Sequence, residues 1–215
     1  WFHINATLLF SWIIIAILAG LSIILTLNLK TEGKLSKLQI FLESTVRFLL
    51  DQVKMFFNED EKRYLPFLGT LFLFISLSNF LELIPYFLNP FSSLSTTLAL
   101  AAAVFFAVPI FGITQKGIKG YFLHYVKPSV FVLPFTIISE ISRTLALGIR
   151  LFGNIMSTGL IASILLIITP LFIPIIMQLF VLFIGQIQAY IFTLLSAIFI
   201  ASGMKAAKSQ QKEKS

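Results

Sequence analysis

The stretch 142–169, SRTLALGIRLFGNIMSTGLIASILLIIT, decides the fold. It is longer than the roughly 20 residues that a helix needs to cross hydrocarbon, and it is apolar or small apart from a few polar side chains. Two of these are Arg143 and Arg150. An arginine keeps its charge in a protein and is costly to place in hydrocarbon, so a membrane helix of this sequence needs something that compensates Arg150.

The composition extends this interpretation to the whole chain. Of its 215 residues, 58% are hydrophobic and only 12% are charged, whereas about a quarter of the residues of a soluble domain are charged. We therefore expect an all-α polytopic membrane protein with five membrane helices and one amphipathic surface helix. A β-barrel would show short alternating segments instead. There is no cysteine, which excludes disulfides and thiolate metal sites.

The apolar runs divide a single membrane domain, 1–215, into segments. These are a first span at 6–29, an amphipathic surface helix at 36–57, a membrane hairpin at 66–114, a long tilted helical hairpin at 129–204 and a polar tail at 205–215. A continuous helix over 129–168 would be about 60 Å long at 1.5 Å per residue. Because the hydrocarbon layer is only about 30 Å thick, the last hairpin must tilt or bend.

The surface helix is predicted from helical periodicity. Apolar side chains recur at helical spacing from Leu38 to Phe56. Charged side chains occupy the opposite face, each three or four residues from the next, namely Glu43, Arg47, Asp51 and Lys54. Such a helix is expected to lie along the membrane surface.

The basic residues predict an orientation. Lysine and arginine cluster at 30–63, at 116–127 and in the tail, whereas the loops near 85–93 and 168–173 contain none. With five spans, the positive-inside rule then places the N-terminus outside and the C-terminus in the cytoplasm. The net charge of +7 lies beside spans, so we expect membrane lipid and not nucleic acid as its partner.

Four charged residues lie within the predicted spans, namely Glu82, Glu140, Arg143 and Arg150. Glu140 and Arg143 are three residues apart, which favours a structural ion pair. Arg150 has no local acid. Either Glu82 neutralises it or an acid from another subunit does.

A polar stripe of small residues surrounds Arg150 on the predicted helix. At helical spacing, one face carries Arg143, Arg150, Asn154 and Ser157, with Ala146 and Gly153 beside them. Small residues let another helix approach closely, which favours an acid from a partner. No phosphate-binding loop, HExxH or GxSxG motif is present. We therefore expect a non-catalytic chain without cofactor or metal.

Two motifs add a family resemblance. The segments LALGIRLFGN, 145–154, and IQAYIF, 187–192, resemble subunit a of F-type ATP synthases, the stator component beside the rotating c-ring. PFLGTLFLFISLSNFLELIP, 66–85, and STTLALA, 95–101, are similar to further segments of this family in the same order. The resemblance implies an outer helix, a surface helix, a membrane hairpin and two long tilted helices. It also implies the c-ring, the peripheral-stalk b subunits and the rest of the complex as partners, in a bacterial inner membrane.

The resemblance assigns roles to four residues. Arg150 matches the arginine that faces the carboxylate of each passing c subunit and separates two aqueous half-channels. Asn154 and Gln188 match its polar neighbours. Glu82 matches a position where some members carry an acid that lines the inlet half-channel.

Two positions depart from the family pattern. Nine residues after the arginine many members carry Glu or His, and here the residue is Gly159. Seven residues before the glutamine some carry His or Glu, and here it is Val181. With these two absences, the sequence is similar to the N-type branch of the family, for which sodium coupling has been proposed. We expect a proton as the transported ion, with sodium as the alternative.

Two other functions are compatible with the residues. One is a self-contained secondary ion transporter in which Arg150 binds an anion or substrate. The other is a structural scaffold in which Arg150 pairs with Glu82. Charge reversal at both positions would restore function only in the scaffold.

Overall fold

The computed structural model describes residues 6–27, 37–57, 61–84, 87–126, 133–168 and 173–208. These ranges contain six α-helices and no strand. The helices are α1 (Ala6–Leu27), α2 (Lys37–Lys54), α3 (Glu61–Leu81), α4 (Leu94–Val126), α5 (Leu133–Ile168) and α6 (Ile173–Lys208), and a 3₁₀ turn, Pro90–Ser92, precedes α4. The prediction of an all-α protein is confirmed.

Five of these helices are long and apolar enough to cross a membrane: α1, α3, α4, α5 and α6. The remaining helix, α2, is the amphipathic one, so the prediction of five spans and one amphipathic helix is confirmed. Both α5 and α6 contain 36 residues, which corresponds to about 54 Å each. Both exceed a hydrocarbon layer of about 30 Å, as expected for the long hairpin.

The hairpin predicted at 66–114 is longer at both ends than the sequence suggested. α3 begins at Glu61, so Pro66 lies inside the helix. Proline has no backbone N–H to donate, but Pro66 lies near the start of α3, where few helical hydrogen bonds precede it. α4 continues to Val126. Its late glycines each cost only about 1 kcal/mol in a helix, and after Pro109, which lies inside α4, the next proline is Pro128.

The other segment boundaries agree to within a few residues. α1 ends at Leu27, and α6 continues past 204 to Lys208, four residues into the predicted tail. Residues 28–36, 127–132, 169–172 and 209–215, on which parts of the predicted segments fall, lie outside the described residues.

A first core cluster joins α3, α4, α5, α6 and the 3₁₀ turn. Its fully buried side chains include Ile75, Phe91, Leu147, Leu151 and Phe192. Because Phe91 belongs to this cluster, the 3₁₀ turn is anchored among the helices. This anchoring holds residues 87–92 in place beside the site described below.

A second cluster fixes the amphipathic helix against the bundle. Val53 of α2 is buried with Tyr64 of α3 and Ile200 of α6. The hydroxyl of Tyr190 donates a hydrogen bond to Oε1 of Gln52 over 2.9 Å. Part of the apolar face of α2 therefore covers protein, and α2 is held by α3 and α6.

The predicted polar face of α2 carries an ion pair. The Arg47 guanidinium donates to Oε1 of Glu43 over 2.7 Å, and both side chains are exposed. Val46 belongs to the apolar run that was predicted from Leu38 to Phe56, but its side chain is exposed. The buried stripe of α2 is therefore narrower than the helical periodicity of that run indicated. Its position along a membrane surface stays a prediction.

Two glycines allow helices to approach closely around the centre of the bundle. A Cβ at Gly148 of α5 would lie 3.1 Å from Cδ2 of Leu98 in α4 and 3.2 Å from the carbonyl oxygen of Thr97. A Cβ at Gly185 of α6 would lie only 2.9 Å from Cγ and Nδ2 of Asn79 in α3. Small residues at such contacts let the backbones pack against each other.

Candidate ion-translocation site

Three of the four residues predicted for ion translocation line one cavity. Glu82 follows α3, Asn154 lies on α5 and Gln188 lies on α6. The rest of the lining consists of Asn79, Leu151, Ile155, Thr158, Val181, Ile184 and Gly185. The free space is about the size of one water molecule. The structure thus brings together residues that are more than 100 positions apart.

Glu82 stands one residue beyond the end of α3. Its backbone N–H still donates to the carbonyl of Ser78 over 3.2 Å, which continues the helical pattern by one residue. The side-chain amide of Asn89 donates to Oε2 of Glu82 over 2.7 Å. The carboxylate is therefore held at the cavity wall by the segment that leads into the 3₁₀ turn.

Two asparagines that the sequence analysis did not single out form a network here. The amide of Asn79 donates to the carbonyl oxygen of Gly185 over 2.7 Å. Nδ2 of Asn89 lies 3.4 Å from Oδ1 of Asn79. Both are almost fully buried. Both asparagines stand in the apolar stretch 71–89. Because polar side chains at membrane depth are costly, their presence in this stretch is the signal that could have identified them.

Gln188 carries a buried donor without a partner. The residue is 6% exposed, and its Nε2 has no hydrogen-bond partner in the part of the chain that the structure describes. A buried donor that is left unsatisfied costs about 1–3 kcal/mol. Since Gln188 lines the cavity, an acceptor in that space would remove this cost.

Arg150 lies away from the cavity, on an exposed face of α5. Its guanidinium has no hydrogen-bond or ion-pair partner within the described ranges. Glu82 and Arg150 form no ion pair, so the structure gives the scaffold hypothesis no support. Asn154, one helical turn further on, reaches from the same helix into the cavity.

The face of α5 around Arg150 is left open by this chain. The side chains of Arg143, Ala146, Arg150 and Ser157 are all exposed. A Cβ at Gly153 would meet nothing within 4 Å. The predicted stripe of small and polar residues is therefore a surface, and no segment among the described residues covers it.

Glu140 and Arg143 line a second cavity, between α4, α5 and α6, together with Phe199 and Ser202. The guanidinium carbon of Arg143 lies 5.9 Å from the ring centroid of Phe199. That distance suits a cation–π interaction. The predicted ion pair between Glu140 and Arg143 stays a prediction.

The two departures from the family pattern differ in position. Val181 lines the cavity beside Glu82 and Gln188, so an apolar side chain occupies part of its wall. Gly159 is exposed on α5 and does not line it. Of the two departures from the family pattern, Val181 is therefore the one that changes the wall of the cavity.

The chemistry available at the cavity is that of one carboxylate and several amides. The Thr158 hydroxyl donates its one proton to the backbone carbonyls of Asn154 and Ile155, so toward the cavity it can act only as an acceptor. Among the described residues no group of three or more His, Cys, Asp or Glu could hold a metal ion. Such a site can accept and release a proton at Glu82, or attract a cation to it.

Comparison with known proteins identifies similar sequences. Residues 8–201 match the family described as ATP synthase A chain. ATP synthase subunit a 1 of Crocosphaera subtropica is 50% identical over 204 residues, 95% of this chain and 89% of that protein. ATP synthase subunit a 2 of a Picosynechococcus species is 48% identical over 212 residues, 99% and 90% of the two chains. ATP synthase subunit a of Albidiferax ferrireducens is 48% identical over 205 residues, 95% and 89% of the two.

Proposed function

This chain belongs to the ATP synthase A chain family, and on that premise we propose that it is the ion-translocating stator subunit beside the c-ring. It provides two aqueous half-channels, and Arg150 stands between them. Ion flow through the half-channels is thereby coupled to rotation. The self-contained transporter has no support from the comparisons.

The observation that carries this proposal is the exposed guanidinium of Arg150, which has no partner among the described residues and stands on a small-residue face. A fixed positive charge favours the ionised form of a carboxylate that comes within a few ångströms. A c-ring carboxylate that arrives at this face therefore gives up its ion there. The same charge repels a cation that would otherwise pass directly from one half-channel to the other.

The cavity at Glu82 is the proposed inlet half-channel. Its carboxylate, Asn154 and the free donor of Gln188 line one space. Asn154 links this space to Arg150, because the two residues are one turn apart on α5. Water in the cavity would satisfy Gln188 and carry the ion onward.

The transported ion is proposed to be a proton, with sodium as the alternative. Glu82 is the one carboxylate on the cavity wall among the described residues, and Val181 supplies no second relay group. A proton can hop along water and a single carboxylate. Sodium would instead be attracted by Glu82 and would need oxygen ligands from amides and water.

The setting of the subunit follows from the same premise. Its proposed partners are the c-ring, the peripheral-stalk b subunits and surrounding lipid. The relatives named above are bacterial, which supports the bacterial inner membrane. The basic clusters favour a cytoplasmic C-terminus. The chain itself is non-catalytic in this proposal, and ATP chemistry belongs to other subunits of the complex.

The test is ATP-driven ion pumping by the assembled complex in inverted vesicles. Arg150→Ala is expected to abolish pumping while the complex still assembles. The matched control is Arg47→Ala, which removes an exposed arginine of α2 and is expected to pump normally. Normal pumping by Arg150→Ala would refute the proposal.

The coupling ion is tested in the same vesicles, with and without sodium. Sodium-independent acidification that is lost in Glu82→Gln would support the proton path. Pumping that requires sodium would replace the proton by sodium and make Glu82 a cation attractor.

A further inference from the structure

Asn89 closes the segment between α3 and α4, directly before the 3₁₀ turn Pro90–Ser92, and is 4% exposed. Its Oδ1 accepts a hydrogen bond from the backbone N–H of Phe91 over 3.1 Å, which caps the turn. Phe91 is itself fully buried in the core. The backbone around Asn89 is therefore anchored, and its side chain has a fixed origin.

The cap also fixes which way the amide of Asn89 points. If the amide were turned over, Nδ2 would face the N–H of Phe91, and Oδ1 would face the carboxylate of Glu82. Both contacts would then be repulsive. In the observed orientation Nδ2 donates to Oε2 of Glu82 over 2.7 Å and lies 3.4 Å from Oδ1 of Asn79. Asn89 thus presents a donor to Glu82 and cannot exchange it for an acceptor.

This contact makes the two oxygens of Glu82 unequal. Oε2 accepts the hydrogen bond from Asn89, whereas Oε1 has no hydrogen-bond partner among the residues that the structure describes. We infer that Asn89 is a positioning residue of the ion path, which holds Oε2 so that Oε1 takes up and releases the transported ion. The inference rests on the proposed function, in which Glu82 lies on the inlet path.

A held carboxylate differs from a free one in how well it transfers an ion. For a proton, Oε1 gains one O–H bond from a hydronium ion in the cavity and later returns the same proton to water, so Glu82 is unchanged after each cycle. Transfer is fast only when the reacting oxygen is already in place. Oδ1 of Asn79 lies 3.4 Å from the same Nδ2 of Asn89, and Asn79 is itself bonded to Gly185 on α6, which braces the Asn89 amide.

Two single substitutions separate positioning from capping. Asn89→Ser keeps an oxygen that can cap the turn but is too short to reach Glu82. Asn89→Asp keeps the shape and the capping oxygen but replaces the N–H donor by an oxygen that faces the carboxylate of Glu82. We expect each to reduce ATP-driven pumping by the assembled complex by at least about tenfold, the order expected for loss of one hydrogen bond to a charged group. Wild-type pumping by both would overturn the inference.

The amount of the subunit in membranes separates positioning from folding. Both variants keep an oxygen that can cap the turn, so we expect each to be present at the wild-type level while its pumping falls. If pumping falls only in proportion to the amount of the subunit, the inference is wrong.

The single variant Glu82→Gln separates this inference from the proposed function. If Glu82→Gln pumps at the wild-type rate, the role proposed for Glu82 fails, and the role of Asn89 fails with it. If Glu82→Gln loses pumping while Asn89→Ser and Asn89→Asp keep it, only the positioning role is overturned. Loss of pumping in all three, with the subunit present at the wild-type level, supports both.

Discussion

Replacing Gly185 by alanine adds one methyl group at the place where α6 meets the side chain of Asn79. The new Cβ would lie 2.9 Å from Cγ and Nδ2 of Asn79 and 3.1 Å from its Cβ. Ordinary contacts of this kind begin at 3.4 Å, so the groups must separate by about 0.5 Å in a closely packed interior. Asn79 is 3% exposed and donates to the carbonyl of Gly185 itself, which leaves it little freedom to move.

The expected cost combines three terms. Overpacking a core costs about 1–3 kcal/mol, and loss of the hydrogen bond between Asn79 and Gly185 adds about 1 kcal/mol. Alanine is favoured over glycine within a helix by about 1 kcal/mol, which offsets part of this. We expect Gly185→Ala to lower the free energy of unfolding by about 2 kcal/mol, or a factor of about 30 in the ratio of folded to unfolded protein.

The assay is heat-induced aggregation of this subunit in the purified complex, followed together with its amount in membranes. Gly69→Ala is the matched control, because Gly69 lies within α3 and a Cβ there would meet nothing within 4 Å. The subunit with Gly185→Ala should aggregate at a lower temperature than wild type. Gly69→Ala should behave like wild type or slightly better.

A double variant shows whether the contact with Asn79 is the cause. Asn79→Ala removes Cγ and Nδ2, the two atoms nearest to the new methyl group, and leaves only the contact with Cβ at 3.1 Å, so Gly185→Ala should cost less in that background. The two effects are then not additive, as is typical of residues in contact. Additive effects, or equal stability of Gly185→Ala and Gly69→Ala, would refute the reasoning.

Three further predictions concern other parts of the chain. Phe91→Ala empties a fully buried position and should destabilise the subunit by about 3–5 kcal/mol, visible as a fall in its amount in membranes. Tyr190→Phe should cost about 1 kcal/mol in the heat assay, and adding Gln52→Leu to it should cost little more, because the two side chains share one hydrogen bond. Val181→Glu places an acid in the cavity wall and should restore part of the pumping lost in Glu82→Gln; no recovery would show that the acid must stand beside Asn89.

Hydropathy was sufficient to predict the number and type of the helices. A run of about 20 apolar residues has few alternatives to a membrane helix, and all five predicted spans are helical. The helix ends depended on weaker local signals. The predicted hairpin began at 66 and ended at 114, yet α3 begins at Glu61 and α4 continues to Val126.

Periodicity showed that α2 has an apolar face, but it could not show what covers that face. Lipid and protein both accept apolar side chains, so the pattern is the same for either. The buried Val53 and the hydrogen bond from Tyr190 to Gln52 depend on where α6 lies, and no local pattern contains that information.

Charge at membrane depth singled out Glu82 and Arg150, and the family resemblance added Asn154 and Gln188 as neighbours of Arg150. The structure places Glu82, Asn154 and Gln188 on one cavity and Arg150 outside it. Asn79 and Asn89 were missed because their role comes from contacts between segments. In sequence, Asn89 stands before a proline, where asparagine is an ordinary turn residue.

The walls of the cavity come from residues 79–82, 151–158 and 181–188, and the last of these is near the end of the chain. During synthesis α3 and α5 are therefore made before the third wall exists. The amide of Asn79 also has to wait, since its acceptor is the carbonyl of Gly185. The cavity is therefore enclosed only when α6, the last helix to be made, packs against α3 and α5.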